Sequence, residues 1–306
     1  MFNYLFNKIL SNRDIRHFKN STFYYILFRV FRYFITGEFK VKIFDFYVYS
    51  SSNKKKTSYA LIKKCGFDDE HELKIIKKFN KSKNIFFFDC GSNFGFYSLF
   101  VSSLSRNNRI VAFEASIETK LQFDRNVQLN NFKNIISYNK AISNTPNQEL
   151  SLNLSSNDWE NSLCHSDFQN FKNQSVITTT IDYEMKYYNF SKNFILIIKL
   201  DVEGYEFNVI KGSENTINKF SPLIIIELSK YNLENKEYNL SYFEEFLNYS
   251  NYKIYDLQLK IVEIKDIVNR LNLLDKSHKT IGNYYLVKKN SLVEKILLLD
   301  TLNEAL

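Results

Sequence analysis

From residue 85 onward the chain alternates short, almost wholly apolar runs with longer mixed ones. "NIFFFD" (84–89), "RIVAFE" (109–114), "FILIIKLD" (194–201) and "PLIIIELS" (222–229) leave no polar face, the pattern of strands buried on both sides. The mixed runs between them, beginning near Phe94 and Ile117, predict crossover helices, so the segment reads as a parallel sheet with helices on its faces. "NIISYNKAI" (134–142) adds a strand. "QELSLNLSS" (148–156) and "SVITTTID" (175–182) predict extra strands beside the sheet, with a polar stretch between them. After residue 228 the pattern predicts a helix over 242–249 and strands at "YKIYDLQ" (252–258) and "NYYLVKK" (283–289), which would close the sheet as a pair.

Before residue 85 the pattern differs. "STFYYILFRVFRYFITG" (21–37) is the most apolar stretch, but it falls short of the roughly 20 apolar residues of a spanning helix and contains Arg29 and Arg32. It predicts an amphipathic helix with Arg29 and Arg32 on one face and Phe23, Leu27, Val30 and Phe34 on another, a helix that packs on its own domain or docks at a membrane interface. Residues 40–49 alternate as one half-buried strand, 50–58 form a polar loop, and 68–80 form a helix with acids first and lysines last. The expected organisation is an extension over 1–59, a main domain over 60–290 with a polar insert at about 147–182, and a C-terminal helix over 291–306. No internal repeat is visible.

Composition adds little and charge adds more. The abundance of Lys, Asn, Ile, Phe and Tyr is what an AT-rich coding sequence produces, so individual Lys and Asn residues receive little weight. The net charge is +8, yet residues 1–84 hold 18 Lys/Arg against 7 Asp/Glu, and residues 85–306 hold 23 against 26. A nucleic-acid enzyme would carry its basic groove around the active site; here the basic part lies elsewhere, so no nucleic-acid partner is expected. An anionic membrane surface or anionic substrate fits better. Three cysteines without CxxC spacing suggest neither zinc nor a disulfide framework, and the first residues are too quickly charged for a secretory signal. The expected location is the cytoplasm, with peripheral contact to the inner membrane face through the basic segment.

The candidate chemistry starts at "FFFDCGSNFGFYSLF" (86–100), where Asp89 ends a buried strand and Gly91 and Gly95, two of only seven glycines, bracket a turn into a helix. Glycine lets backbone approach a ligand, and a helix start offers free N–H groups. Glu114 ends the next strand, 23 residues beyond Gly91, where a Rossmann-like unit sets an acid against ribose hydroxyls. The full GxGxxG pattern is missing, which disfavours a dinucleotide and favours an adenosyl ligand without phosphates, such as S-adenosylmethionine. A third group, Lys199, Asp201, Glu203, Gly204 and Glu206, follows the buried strand "FILIIKLD" and emerges on the same rim. Asp201 and Glu203 could orient an acceptor hydroxyl, take its proton or bind a divalent metal, the last not favoured. Glu206 reads as a first-turn helix acid and Lys199 as a structural partner of an acid. Asp182 and Glu227 sit at strand ends with either role open, and His165 would be a rival base if the insert caps the site. No GxSxG or HExxH occurs.

The segments "FFDCGSNFGFYSL", "VAFEAS", "TTTID" and above all "IIKLDVEGYEFNVIKGSENTI" followed by "PLIIIEL" resemble the FkbM-type family of S-adenosylmethionine-dependent methyltransferases, from about residue 60 to 230. The resemblance implies a class I methyltransferase fold. Such a fold has a seven-stranded, mostly parallel, Rossmann-like sheet with an antiparallel last strand and flanking helices, here with an N-terminal extension. It also implies methyl transfer to a hydroxyl of a carbohydrate, glycolipid or similar acceptor. Its cofactor motif falls on Asp89, Gly91, Asn93 and Gly95, and the ribose acid on Glu114; the residues themselves, read apart from the family, make Asp201 and Glu203 the expected catalytic pair, with no metal expected. Cys90 and Ala115 depart from the usual pattern without removing a contacting group. The alternatives are an inactive S-adenosylmethionine-binding module and a nucleic-acid methyltransferase; the latter lacks the Asn-Pro-Pro-aromatic motif often found after the fourth strand.

Overall fold

In a computed structural model of the chain, residues 2–31, 36–54, 56–66, 70–155, 161–163, 172–191, 193–229, 240–274 and 281–299 are described. The chain begins with helices α1 (Phe2–Asn12) and α2 (Thr22–Phe31), a hairpin of β1 (Glu38–Ile43) and β2 (Phe46–Ser51), and helices α3 (Tyr59–Lys64) and α4 (Glu70–Ser82). The alternating region follows as β3 (Asn84–Cys90), α5 (Phe96–Leu104), β4 (Arg109–Phe113), α6 (Ile117–Leu129) and β5 (Ile135–Tyr138). A side sheet comes next, β6 (Ala141–Ile142), β7 (Glu149–Leu154) and β8 (Lys172–Thr179), then α7 (Ile181–Glu184), β9 (Phe194–Leu200), α8 (Glu206–Lys211), α9 (Glu214–Phe220) and β10 (Leu223–Ser229). The chain closes with α10 (Leu240–Ser250), β11 (Tyr252–Tyr255), β12 (Ile261–Val262), α11 (Ile264–Leu274), β13 (Ile281–Lys288) and α12 (Leu292–Leu298).

The main sheet runs β12-β11-β13-β10-β9-β3-β4-β5. Strands β3, β4, β5, β9 and β10 are mutually parallel, and β13 enters antiparallel between β10 and β11. Numbering the seven long strands by sequence gives 3-2-1-4-5-7-6, the class I methyltransferase order, with the two-residue β12 as an added eighth strand at the edge. The order reverses beside β3, and in open α/β sheets ligands bind at such a switch point, outside the carboxyl ends of the strands.

The apolar runs fill both faces of the sheet. On β3, Ile85 and Phe87 join one core cluster, whereas Phe86, Phe88 and Cys90 join the other. Cys90 is fully buried there, and burial pushes its thiol well above the ordinary range. It packs among Val111, Phe113 and Leu200 as a small apolar residue.

The N-terminal segment packs on the main core, and residues 40–49 differ from the expected single strand. Phe6, Leu10, Tyr24, Phe28 and Phe39 belong to the same core cluster as Phe87 and Leu99. Residues 40–49 fold back on themselves: Ile43 pairs with Phe46, and Phe44 takes a left-handed φ of 51° in the turn. Asp14 accepts the Phe44 N–H at 3.0 Å. The outer edge of β2 is covered by side chains of α6, since Asn130 and Asn126 accept the N–H groups of Tyr47 and Tyr49 at 2.7 and 2.8 Å. Asn126 also donates to the Phe94 carbonyl at 2.9 Å, tying the hairpin to the glycine loop. The inward face of α2 carries Tyr24 and Phe28; Phe23 points outward, 74% exposed. A helix apolar on nearly every side gives no phase to read, which is why the pattern set the exposed Phe23 on one face with the partly buried Leu27. Among the described residues, no helix is long and apolar enough to cross a membrane.

Candidate active site

At the carboxyl ends of β3, β4, β9 and β10 lies a cavity of about 310 Å³. Its wall includes Asp89, Gly91 and Asn93 from the glycine loop, Glu114 from the end of β4, Asp201 and Glu203 after β9, and Glu227 on β10. These groups come from segments more than a hundred residues apart in sequence.

The glycine loop is held by the sheet. The Gly91 and Ser92 N–H groups both donate to the Phe113 carbonyl at 3.0 Å, and the Cys90 carbonyl accepts the Asp201 N–H at 3.1 Å. Gly91 has φ +79°, and a Cβ there would sit 1.8 Å from the Asp201 carbonyl oxygen. The close approach that requires glycine at this point is to the β9 loop, in a residue that also lines the cavity. Gly95 does not itself line the cavity, and a Cβ there would fall 2.0 Å from the Phe123 ring. Its φ of +91° turns the chain into α5 against α6, so its role is packing.

Asn93, left-handed at φ 50°, presents its N–H to Glu114 Oε2 at 2.8 Å and its side-chain amide to Thr57 Oγ1 at 3.2 Å. Glu114 Oε1 accepts the Ser116 N–H at 2.8 Å. Each oxygen of this carboxylate thus takes one backbone proton. A carboxylate offers about four acceptor sites, and this one lines the cavity, where a vicinal diol could approach it.

Lys199, on β9 and almost fully buried, places Nζ 2.6 Å from Asp201 Oδ2 and 4.6 Å from the Tyr97 ring centroid. Burial opposes the charge of Asp201, but Lys199 and a hydrogen bond from Glu227 hold its carboxyl below the ordinary range. Burial, with Asp201 and Glu203 nearby, pushes Glu227 well above its ordinary range. Oxygens of Asp201, Glu203 and Glu227 lie within 4.8 Å of one another, a set that could also hold a divalent cation. Asp89 is pushed up by burial; its Oδ2 accepts from Ser98 at 2.6 Å, and its buried Oδ1 has no hydrogen-bond partner.

Glu203 precedes the helix start at Glu206, so it is not a first-turn acid. Its φ of 52° is left-handed, which costs a non-glycine residue on the order of 1 kcal/mol or more. Its surroundings impose that conformation. Ser162 donates to the Glu203 carbonyl at 2.6 Å, and Glu206 Oε1 accepts the N–H groups of Val202 and Gly204 at 3.0 and 3.2 Å. Glu206 is buried, which pushes its carboxyl up to about 7, and its role is to tie the loop. Asp182 lies away from the cavity, capping α9 by accepting from the backbone N–H groups of Thr216 and Asn215.

Several wall residues escaped the sequence reading. Thr57 comes from the polar loop after β2, Leu152 from the side sheet, and Asn161 and Leu163 from the insert. Only a contact across the fold reveals them. His165 and Cys164 lie outside the described residues.

The profile of the methyltransferase FkbM domain matches residues 89–256, more than half of the 306-residue chain. No curated protein matches the chain by sequence. Among solved structures, the methyltransferase FkbM of Methylobacillus flagellatus KT is 17% identical, with a TM-score of 0.36, over 56% of this chain and 39% of that one. The chain thus spans well under two thirds of that protein's length. A Streptococcus mutans protein described as a methyltransferase, in complex with SAH, is 10% identical, with a TM-score of 0.41, over 73% of this chain and 98% of that one. M. jannaschii TYW2 in complex with AdoMet is 10% identical, with a TM-score of 0.38, over 82% of this chain and 85% of that one. The FkbM match begins at the first acid of the cavity and ends just past β11, and this chain therefore belongs to the FkbM family of S-adenosylmethionine-dependent methyltransferases.

Proposed function

We propose that the protein is an O-methyltransferase acting on a hydroxyl of a carbohydrate, glycolipid or similar polyol. The observation that carries this reading is the trio of Asp201, Glu203 and Glu227 at the cofactor crevice, whose oxygens lie within 4.8 Å of one another, with Lys199 Nζ 2.6 Å from Asp201. A neutral hydroxyl needs a base as it is methylated, whereas a thiolate or carboxylate acceptor would be repelled by such a set.

The residues present suit the cofactor. The crevice is lined by five acidic side chains, Asp89, Glu114, Asp201, Glu203 and Glu227, against the two lysines Lys140 and Lys199, and the buried Asp89 Oδ1 lacks a partner. That field favours a sulfonium and ammonium cation over an anionic dinucleotide. Glu114 would hold the ribose diol, and Asp89 and Asp201 would face the cationic end. When bound, S-adenosylmethionine supplies an electrophilic methyl group whose sulfonium sulfur departs as a neutral thioether.

The chain's own residues do the rest. Asp201 accepts the acceptor's hydroxyl proton as the oxygen–carbon bond forms, so no charged oxonium survives. Lys199 keeps Asp201 ionised for that task. Glu203, fixed by its backbone, orients the hydroxyl, and holding the oxygen in line with the methyl group lowers much of the barrier. The segment 161–163 and Leu152 cover one side of the cavity, which limits water there.

The test is a panel of glycan and glycolipid acceptors with labelled cofactor, run with the wild type, Asp201→Asn and Glu203→Gln. Each substitution should lower kcat by about a hundredfold or more; Glu203→Gln should keep cofactor affinity, and Asp201→Asn should weaken it without abolishing it. Chelation should leave the rate unchanged; loss of activity restored by a divalent cation would assign the trio to a metal instead. Unchanged methylation by both variants would refute the catalytic assignment.

A further inference from the structure

Helices α1 and α2 each bury one face and leave an outer face that is unusually apolar. On α2 the residues Phe23, Tyr25 and Ile26 are 74, 58 and 56% exposed. At 100° per residue these three share one continuous stripe with Thr22 and Arg29. On α1, Tyr4 and Leu5 are 70 and 48% exposed and flank the exposed Lys8. The inner faces of the two helices share one core, where the Phe6 and Tyr24 rings stack at 6.4 Å, so both outer faces turn away from it. An exposed group of large apolar side chains of this size marks an interaction site.

The charge of the surface selects the occupant. Neither helix contains an acidic residue, and residues 1–31 hold five Lys/Arg against one acid, Asp14, which is bound to Arg16. Arg29 lies 5.7 Å from the Tyr25 ring, and Lys63 and Lys64, both exposed, border the same cleft as Thr22 and Tyr25. A second copy packed face to face would oppose these cations with no acid to pair them. A helix of ten residues is about 15 Å long, half of a bilayer core. Aromatic and aliphatic side chains flanked by Lys and Arg on a short surface helix are the composition of an interfacial anchor, with rings at headgroup level and cations against anionic lipid.

We propose that the outer faces of α1 and α2 dock the protein on an anionic lipid bilayer. This surface is independent of the methyl-transfer reading. Deleting the segment would not test it, because Phe6, Leu10, Tyr24 and Phe28 belong to the core; outward-facing substitutions leave that core intact. Full-length protein is floated with phosphatidylcholine vesicles with and without phosphatidylglycerol, and its oligomeric state is read by sedimentation velocity. Wild type should float with the anionic vesicles, less with neutral ones, and less at high salt. The double variant Phe23→Ser/Ile26→Ser should lose about tenfold in partitioning, and Arg29→Glu should also weaken it. Tyr249→Ser, which removes an 86% exposed ring from α10, should change nothing. Equal recovery with anionic, neutral and no vesicles would overturn the proposal. So would wild-type flotation of the double variant, or a dimer that this variant dissociates.

Discussion

Lys199, near the end of the central strand β9, and Asp201, just past that end, form a 2.6 Å ion pair at the cofactor crevice. The lysine also acts electrostatically on Asp89 and Glu227. At both of these burial outweighs the cation, and Asp201 is drawn below its ordinary range.

Removing that cation should change how the site responds to acid. Asp201 sits below its ordinary range because of Lys199, and burial alone would raise it. In the wild type, cofactor affinity should therefore be flat from about pH 8 to about pH 5. In Lys199→Met the Asp201 carboxyl moves up, and affinity should fall as pH drops through this window because the acid takes a proton. Lys199→Arg keeps the charge and should keep the flat profile. Calorimetric titrations across pH separate the two; identical profiles for Met and wild type would contradict the assignment.

The two scarce glycines should fail in different ways. Gly91→Ala drives a methyl group into the Asp201 backbone at the crevice, whereas Gly95→Ala drives one into the Phe123 ring away from it. Both should destabilise by about 2 kcal/mol or more. Only Gly91→Ala should weaken cofactor binding by the protein that remains folded. Thermal melting paired with ligand titration reads both effects.

Glu206 gives a stability signature. Its folded-state carboxyl is raised to about 7 from an ordinary 4.5, so the folded state binds the proton more tightly than the unfolded one. Its contribution to stability is full below the ordinary value and is lost as pH rises through the folded one, a change of about 3 kcal/mol. Glu206→Gln should be flatter between about pH 5 and about pH 8 and relatively more stable at the alkaline end. Denaturant melts at both pH values check this.

Much of this architecture is legible in the sequence, because strands buried on both faces cannot hide their composition. "NIFFFD" and "FILIIKLD" announce adjacent central strands, and Asp89, Glu114 and Asp201 fall at their carboxyl ends as the fold requires. What was not legible depended on contact. Gly95 resembles a ligand-facing glycine until Phe123 is seen against it. Glu227 gains its meaning from Asp201, 26 residues earlier and one strand away. Asn126 and Asn130, discounted as compositional noise, carry the hydrogen bonds that seal β2 and hold the glycine loop. Amide side chains at a strand edge leave no periodic trace. The phase of α2 was hidden for the opposite reason, since nearly all of its positions are apolar.

The most direct test of the account is a calorimetric titration of the full-length protein with S-adenosylmethionine, in parallel with Glu114→Gln. Glu114 holds the loop through Asn93 and Ser116 while facing the cavity. The account predicts saturable one-site binding with a dissociation constant of about tens of micromolar or tighter, weakened at least about tenfold in the variant. No binding by the wild type, or equal binding by both proteins, would contradict it.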